Sequence, residues 1–324
     1  MSTIVVTEDV SGPAYEELAA RWSLYQDPEA WNSFDHLFAL LENAEAVIVR
    51  NRTQVNQQFL DAAPRLKVVA RAGVGLDNID LAAADRAGVV VVAPTGANAV
   101  SVAEHALAMA LALSKRIILS NDSTKAGGWY RIPTQELSGK TWGLLSAGAT
   151  ARATGRLARA LGMDVVSYDP FIDPRHPELA GIGIELVSFE EVLSRSNVLS
   201  VHLPHSENTK ALLNADTFAS LPRGALVLSV GRGEVIDEAA LLDALDSGRV
   251  GGAGLDVRID EPPNHGGLEQ HPNVIMTPHV AGITEQAQQR IAKIICQQID
   301  AVLNGDSATY AVGSHIHPAL EVDR

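Results

Sequence analysis

Thr141-Trp-Gly-Leu-Leu-Ser-Ala-Gly-Ala-Thr-Ala151 decides how this chain is read. Leu144-Leu145 close a short apolar run of strand type. Ser146-x-Gly148-x-x-Ala151 follows as a tight turn, and Arg152–Leu161 carries helical spacing. The next apolar run, Val165-Val-Ser-Tyr168, ends on Asp169. Strand, turn, helix, strand and acid form the order of a dinucleotide-binding unit. The start of such a helix offers backbone N–H groups and a favourable dipole to a pyrophosphate. Gly148 keeps the position of close approach, with Ala149 and Thr150 beside it, and Ala151 still permits close helix packing. Ser146 stands where a positive φ would favour glycine. The Asp169 carboxylate is suited to the two hydroxyls of an adenosine ribose and repels a ribose phosphate. NAD(H) is therefore expected over NADP(H). Gly73-Val-Gly75 is not a second fingerprint, because no third spaced glycine or helix signal follows it.

Further strand candidates flank this unit: Val198-Leu-Ser-Val201, Ala225-Leu-Val-Leu-Ser229, Gly252-Ala-Gly-Leu-Asp256 and Val274-Ile-Met276. Before it lie Ile4–Val6, Ala46–Val49, Leu66–Ala70 and Val89–Ala93, separated by helical spacing at Tyr15–Leu24 and Val55–Ala62. Unbroken apolar strands alternating with helices predict an α/β fold of parallel sheets covered on both faces. A long helix is expected over Val102–Ser114, with Ser101 as N-cap and Glu104 completing a capping box. Gly127-Gly-Trp-Tyr130 then reads either as an arm or interface loop or as a lid over a local core. A last long helix is expected from beyond Gly282 toward Leu303.

Composition removes several function classes. A net charge of −14 argues against a nucleic-acid backbone as partner. The single cysteine, Cys296, excludes an internal disulfide framework and a cysteine-cluster metal site, and it reads as a small buried residue. No spacing marks a closed metal site. The N-terminus shows no signal-like segment, and the apolar run Ala106–Leu113 is too short to span a bilayer. A soluble cytoplasmic protein without membrane contact is the expectation.

Three polar stations carry the chemistry: Arg232 in Ser-Val-Gly-Arg-Gly-Glu, Glu261 in Asp-Glu-Pro and His279 in Thr-Pro-His-Val-Ala-Gly. An arginine grips a carboxylate through two parallel hydrogen bonds. A histidine beside a carboxylate exchanges one proton near neutral pH. Each also has a plainer reading: a loop tie for Arg232, a turn residue for Glu261, a carbonyl partner for His279.

Together with Arg71-Ala-Gly-Val-Gly-Leu-Asp-Asn-Ile-Asp80, Gly96-Ala-Asn-Ala-Val-Ser-Val-Ala-Glu-His105, Gly162-Met-Asp-Val-Val-Ser-Tyr-Asp-Pro170 and Gly231-Arg-Gly-Glu-Val-Ile-Asp-Glu238, this ordered series resembles the D-isomer-specific 2-hydroxyacid dehydrogenases over nearly the whole chain. Within that family the look is nearest to the phosphoglycerate dehydrogenases. The resemblance implies two Rossmann-like domains. A flavodoxin-like substrate domain would comprise residues 1–98 and 287–324, with an NAD domain, 99–286, inserted and the active cleft between them. It implies a homodimer, with the arm after the long helix contributing.

The resemblance also assigns roles. Arg232 would clamp a substrate carboxylate, His279 would pass the proton and Glu261 would orient it. The amides of Gly73, Val74 and Gly75 would meet the carboxylate. Arg50 and Arg71 either recognise a distal phosphate, making 3-phosphoglycerate and phosphohydroxypyruvate the leading pair, or stabilise the fold. Asn98, Ser101, Gly148, Ala149, Thr150, Asp169, Pro170, His202, Pro204, Thr209, Val230, Gly231, Asp256, His279 and Gly282 would line the cofactor site. The chain departs from the family's Gly-x-Gly-x-x-Gly at Ser146 and Ala151, from a frequent asparagine at Ser229 and from a common aromatic at Arg258. Glyoxylate or hydroxypyruvate reduction, another D-2-hydroxyacid oxidation, and an NAD-binding regulatory scaffold are the alternatives.

Overall fold

A computed structural model describes residues 3–313. They form two compact units. One runs through Asn98 and resumes at Thr284; the other spans Ala99–Ile283. Thr284 caps the helix Glu285–Leu303 by accepting from the Ala287 N–H, so the cap and its helix stay in one unit.

The first unit is built on β1 (Thr3–Val6), β2 (Ser23–Gln26), β3 (Ala44–Val49), β4 (Val68–Arg71) and β5 (Val90–Val92). Their spatial order is β5-β4-β3-β1-β2, all parallel, and a short strand, Ala311–Val312, adds antiparallel to β5. Alternate residues feed two cores. Val5, Val47, Val49, Val69 and Val91 pack under the helices Phe34–Leu41, Gln57–Asp61 and Leu81–Ala87. Ile4, Val6, Ile48, Ala70 and Val92 pack with Ile295, Cys296 and Ile299 of the long C-terminal helix. Cys296 is thus buried, and burial pushes its thiol up to about 12.

The helix expected over Tyr15–Leu24 is shorter than its spacing predicts. It ends at Ala19, and Leu24 lies in β2. That strand is a mostly exposed edge, so its pairing with β1 sets its conformation while its side chains carry no buried-strand signal.

The second unit contains β6 (Thr141–Leu145), β7 (Asp164–Tyr168), β8 (Ile184–Leu186), β9 (Val198–Val201), β10 (Ala225–Ser229), β11 (Val250–Leu255) and β12 (Val274–Met276). All pairings are parallel, in the order β12-β11-β10-β9-β6-β7-β8. The order reverses between β6 and β9. In open α/β sheets ligands bind at such a switch point, outside the carboxyl ends of the strands. The long helix begins at Ala99, so Ser101 is a buried residue of its first turn and not its cap. Trp129 and Tyr130 are 80% and 77% exposed, which rules out the lid over a local core.

Candidate active site

In the second unit, apart from Ser101 on the helix Ala99–Ser114, the predicted residues follow β6, β7, β9, β10, β11 and β12. Ser146 leaves β6 with φ 106°, a left-handed conformation that a side chain rarely adopts. Its Oγ accepts from the Gly148 N–H at 3.1 Å, a local bond that offsets part of the strain. Gly148 caps the helix Ala149–Ala160, so Ala149 and Thr150 stand in its first turn. The buried Arg152 donates to the Ala147 carbonyl at 3.0 Å and pairs with Glu178, bracing the turn from behind. Asp169, at the end of β7, accepts from the Ala147 N–H at 2.8 Å and the Phe171 N–H at 3.0 Å, the latter bridging past Pro170. The acid is therefore seated against the turn that it was expected to serve.

Beyond the switch point, β9 delivers His202. The Trp142 indole donates to Ser200 Oγ at 2.8 Å, and Ser200 Oγ meets His202 Nε2 at 2.9 Å. Burial pushes the His202 imidazole down to about 3, so the ring is neutral at physiological pH. Thr209 closes the following turn by donating to the Pro204 carbonyl at 2.8 Å. Gly231, next to Val230 after β10, packs on the His202–Leu203 backbone: a Cβ there would lie 2.6 Å from the Leu203 carbonyl oxygen.

Arg232 follows, half-buried, with one guanidinium nitrogen donating to the Gly231 carbonyl at 2.8 Å. The next residue, Gly233, touches the backbone of Arg258 and Ile259. Arg258 in turn donates its N–H to Glu261 Oε1 at 3.1 Å, and Glu261 Oε2 lies 2.8 Å from His279 Nδ1. One path of contacts thus joins all three stations. His279 has φ 54°. Its own N–H bonds to the carbonyls of Asp256 and Thr277 at 2.8 and 3.0 Å, which holds this conformation. The buried Asp256 carboxylate accepts from Thr277 Oγ1 at 2.6 Å and from the Val280 and Ala281 N–H groups at 2.9 Å each. His105 meets the same Thr277 hydroxyl at 2.9 Å. Asp256 therefore organises the loop that runs through His279 to Gly282. The family resemblance implied a cofactor contact for it and gave no sign of this role.

In the first unit, β4 ends on Arg71, whose guanidinium folds over Gly73: a Cβ on Gly73 would stand 2.1 Å from one of its nitrogens. Gly73, Val74 and Gly75 follow directly. Arg50 behaves differently. Its guanidinium donates to the Asp9 carbonyl at 2.9 Å, and its N–H is the first of four, through Thr53, taken by the buried Glu8 carboxylate. Asn98 is the last residue of this unit, and its Oδ1 is buried without a hydrogen-bond partner.

The residues fit a dinucleotide. A helix N-terminus and a carboxylate flank one turn at the sheet's switch point. Two buried polar atoms at the ends of neighbouring strands, His202 Nδ1 and Ser229 Oγ, lack partners and suit a polar ligand. Among the described residues no cluster of histidine, cysteine or carboxylate suits a metal ion, and no helix is long and apolar enough to cross a membrane.

Comparison with known proteins agrees with this layout. Residues 107–281 match the family model of the D-isomer specific 2-hydroxyacid dehydrogenase NAD-binding domain. A D-3-phosphoglycerate dehydrogenase of Archaeoglobus fulgidus is 36% identical over 305 residues, which cover 93% of this chain and 57% of that relative. The chain thus spans little more than half the relative's length. A glyoxylate reductase structure from Paecilomyes thermophila superposes with a TM-score of 0.86 at 26% identity, covering 96% of this chain and 98% of that one. The D-lactate dehydrogenase of Aquifex aeolicus, solved with NAD and lactic acid, gives 0.81 at 27% identity over 94% and 96%. With the family model covering more than half of its length, the chain belongs to the D-isomer-specific 2-hydroxyacid dehydrogenases.

Proposed function

We propose that this protein interconverts a D-2-hydroxy acid and a 2-keto acid with NAD(H), and that Arg232, Glu261 and His279 carry the chemistry. The observation that supports it most is the 2.8 Å contact of His279 Nδ1 with Glu261, on a loop joined through Arg258 and Gly233 to Arg232. The nicotinamide, when bound, supplies or accepts a hydride at C2 of the substrate. Gly148 with the first turn of its helix holds the pyrophosphate, and Asp169 holds the adenosine ribose. Removing a ribose-facing charge is the change that would admit NADP(H).

Arg232 grips the substrate carboxylate and polarises the neighbouring carbonyl. With Nδ1–H donated to Glu261, Nε2 of His279 is the atom that exchanges a proton with the substrate oxygen. In the reducing direction His279 gives that proton as negative charge grows on the oxygen; in the oxidising direction the neutral ring takes it. Glu261 fixes the orientation of the ring through the 2.8 Å bond to Nδ1. Loss of an electrostatic stabiliser such as Arg232 costs ~3–4 kcal/mol of barrier. Near-normal turnover by Arg232→Ala or His279→Ala contradicts the assignment.

Among substrates, 3-phosphoglycerate and phosphohydroxypyruvate lead. The Archaeoglobus relative carries that name. Arg71 lies over Gly73, beside the amides expected to meet a carboxylate. The Arg50 guanidinium donates to the Asp9 carbonyl. An NADH-oxidation screen with phosphohydroxypyruvate, hydroxypyruvate, glyoxylate, pyruvate and bulkier 2-keto acids, run beside NADPH, tests this. Preference for phosphohydroxypyruvate that is lost in Arg71→Ala supports it; a flat response to the phosphate rejects it.

The reading includes a homodimer in the cytoplasm, with the exposed Trp129, Tyr130 and Ile132 on the pairing arm. A second reading, an NAD-binding scaffold of weak turnover, draws on the strained Ser146. NADH binding with no turnover on any acid of the panel would establish it.

A further inference from the structure

The Glu261–His279 pair is open to water: the two side chains are 40% and 48% exposed. An exposed ion pair is worth little by itself and does not fix its own geometry. What holds the carboxylate in place therefore lies elsewhere, and Arg258 is the neighbour that touches it.

Arg258 joins two roles in one residue. Its side chain is only 9% exposed, and the guanidinium makes a bidentate bond to Glu238, with both nitrogen–oxygen distances 2.8 Å. A third nitrogen binds Glu269 and approaches Met276 Sδ at 3.4 Å. Glu238 Oε1 also accepts the Ile259 N–H at 3.2 Å, so the same acid holds both side chain and backbone of this loop. The Arg258 N–H meanwhile points at Glu261 Oε1. Hydrogen bonds from Arg258 hold the Glu238 carboxyl below the ordinary glutamate range, so the clamp is charged throughout neutral pH.

We propose that Arg258 is a positioning residue for the Glu261–His279 pair: clamped between Glu238 and Glu269, it presents its amide N–H to Glu261 and so aims that carboxylate at His279. This rests on the reading of that pair as the proton-handling groups. The side chain is buried against Glu238 and Glu269 and acts through its own backbone. On the loop that carries His279, Thr277 bonds to both Asp256 and His105, and Asp260 adjoins Glu261 in sequence.

The test is a double-mutant cycle read by NMR titration of the His279 ring and by the pH profile of NADH-dependent 2-keto-acid reduction. Reduction needs protonated His279, so its rate falls as pH rises through the ring's pKa. Glu261→Gln removes the carboxylate charge and moves that fall to lower pH. Arg258→Gln moves it in the same direction and lowers kcat about tenfold, part of the ~10²–10⁴ that a positioned acid supplies. KM for NADH stays within about twofold, since β9 and β10 separate β6, which leads into the Gly148 turn, from β11. On the Glu261→Gln background, Arg258→Gln adds no further shift, because the group it positions is gone.

Arg258→Lys keeps the charge but loses the fork, and it recovers part of the shift. Should Arg258→Gln fail to fold, Glu269→Gln removes one anchor, leaves Glu238 in place and gives a smaller shift of the same sign. An unmoved His279 titration in a folded variant, or an equal additional shift in the double variant, overturns the proposal. A wild-type protein that reduces no 2-keto acid would end the functional reading instead, and the NMR titration would still decide the clamp.

Discussion

Gly233 and Arg258 are in backbone contact: a Cβ built on Gly233 would lie 2.0 Å from the Arg258 carbonyl carbon and 2.2 Å from its oxygen. Gly233 follows Arg232, the arginine proposed to bind the substrate carboxylate, and Arg258 donates its N–H to Glu261. Two loops, one following β10 and one following β11, are thereby held in contact.

Gly233→Ala should consequently damage activity more than stability. The added methyl meets backbone on a loop, so the strands keep their packing while the loops part. Overpacking costs ~1–3 kcal/mol. A misplacement of about 1 Å costs about a hundredfold in rate. We expect a folded protein with kcat lowered about a hundredfold and cofactor binding nearly intact. Steady-state kinetics beside thermal denaturation decide it, and a fully active alanine variant would show that the contact is dispensable.

That contact also marks where the sequence stops being legible. The buried parallel strands were readable because both faces are covered and the residues are mostly apolar, as in Val198–Val201 and Ala225–Ser229. β2 was not, because an edge strand takes its conformation from hydrogen bonds to β1 and leaves most of its side chains in water. Glu261 and His279 were nameable from short motifs, and the 2.8 Å between them follows from the fold. Gly233, Arg258, Glu238 and Glu269 were hidden because their roles depend on contacts between distant segments, which no local period encodes. The reverse holds for Ser146, whose substitution for glycine announced a strained turn before its φ of 106° was seen.

Ser146→Gly should tighten cofactor binding. A non-glycine residue in a left-handed conformation costs ~1–3 kcal/mol, against ~0.5–1 kcal/mol of extra chain entropy for glycine. The balance favours glycine by up to about 2 kcal/mol. The change also frees the Gly148 N–H, now taken by Ser146 Oγ, to meet a phosphate oxygen. NADH titration by fluorescence should show several-fold tighter binding with a small rise in melting temperature. Weaker binding would mean that the serine hydroxyl itself serves the cofactor.

Asp169→Asn should relax the choice of cofactor. The amide oxygen can still accept from the Ala147 N–H, so the turn stays seated while the negative charge goes. We expect the NADH to NADPH ratio of kcat/KM to fall by at least tenfold, about 1.4 kcal/mol in differential binding. An unchanged ratio would move the source of selectivity away from this carboxylate.

Glu8 gives the first unit an acid limit. Burial alone would raise its carboxyl, but the N–H groups of Thr53, Arg50 and Arg52 and the Thr53 hydroxyl outweigh burial and hold it below the ordinary value of 4.5. Its pKa is lower in the folded than in the unfolded chain. The stability it contributes is therefore complete above the unfolded value and drains away as pH falls from about 4.5 through the folded value. Hydrogen bonds to a charged group contribute ~1.5–3 kcal/mol each when one is removed. Glu8→Gln should lower stability at pH 7 by a similar amount, since one amide oxygen and an ill-suited NH2 face four donors. Denaturant unfolding from pH 7 to pH 3 should show a shallower acid decline in the variant than in the parent. Parallel declines would assign the acid limit to other carboxylates and free the Arg50 loop from its dependence on Glu8.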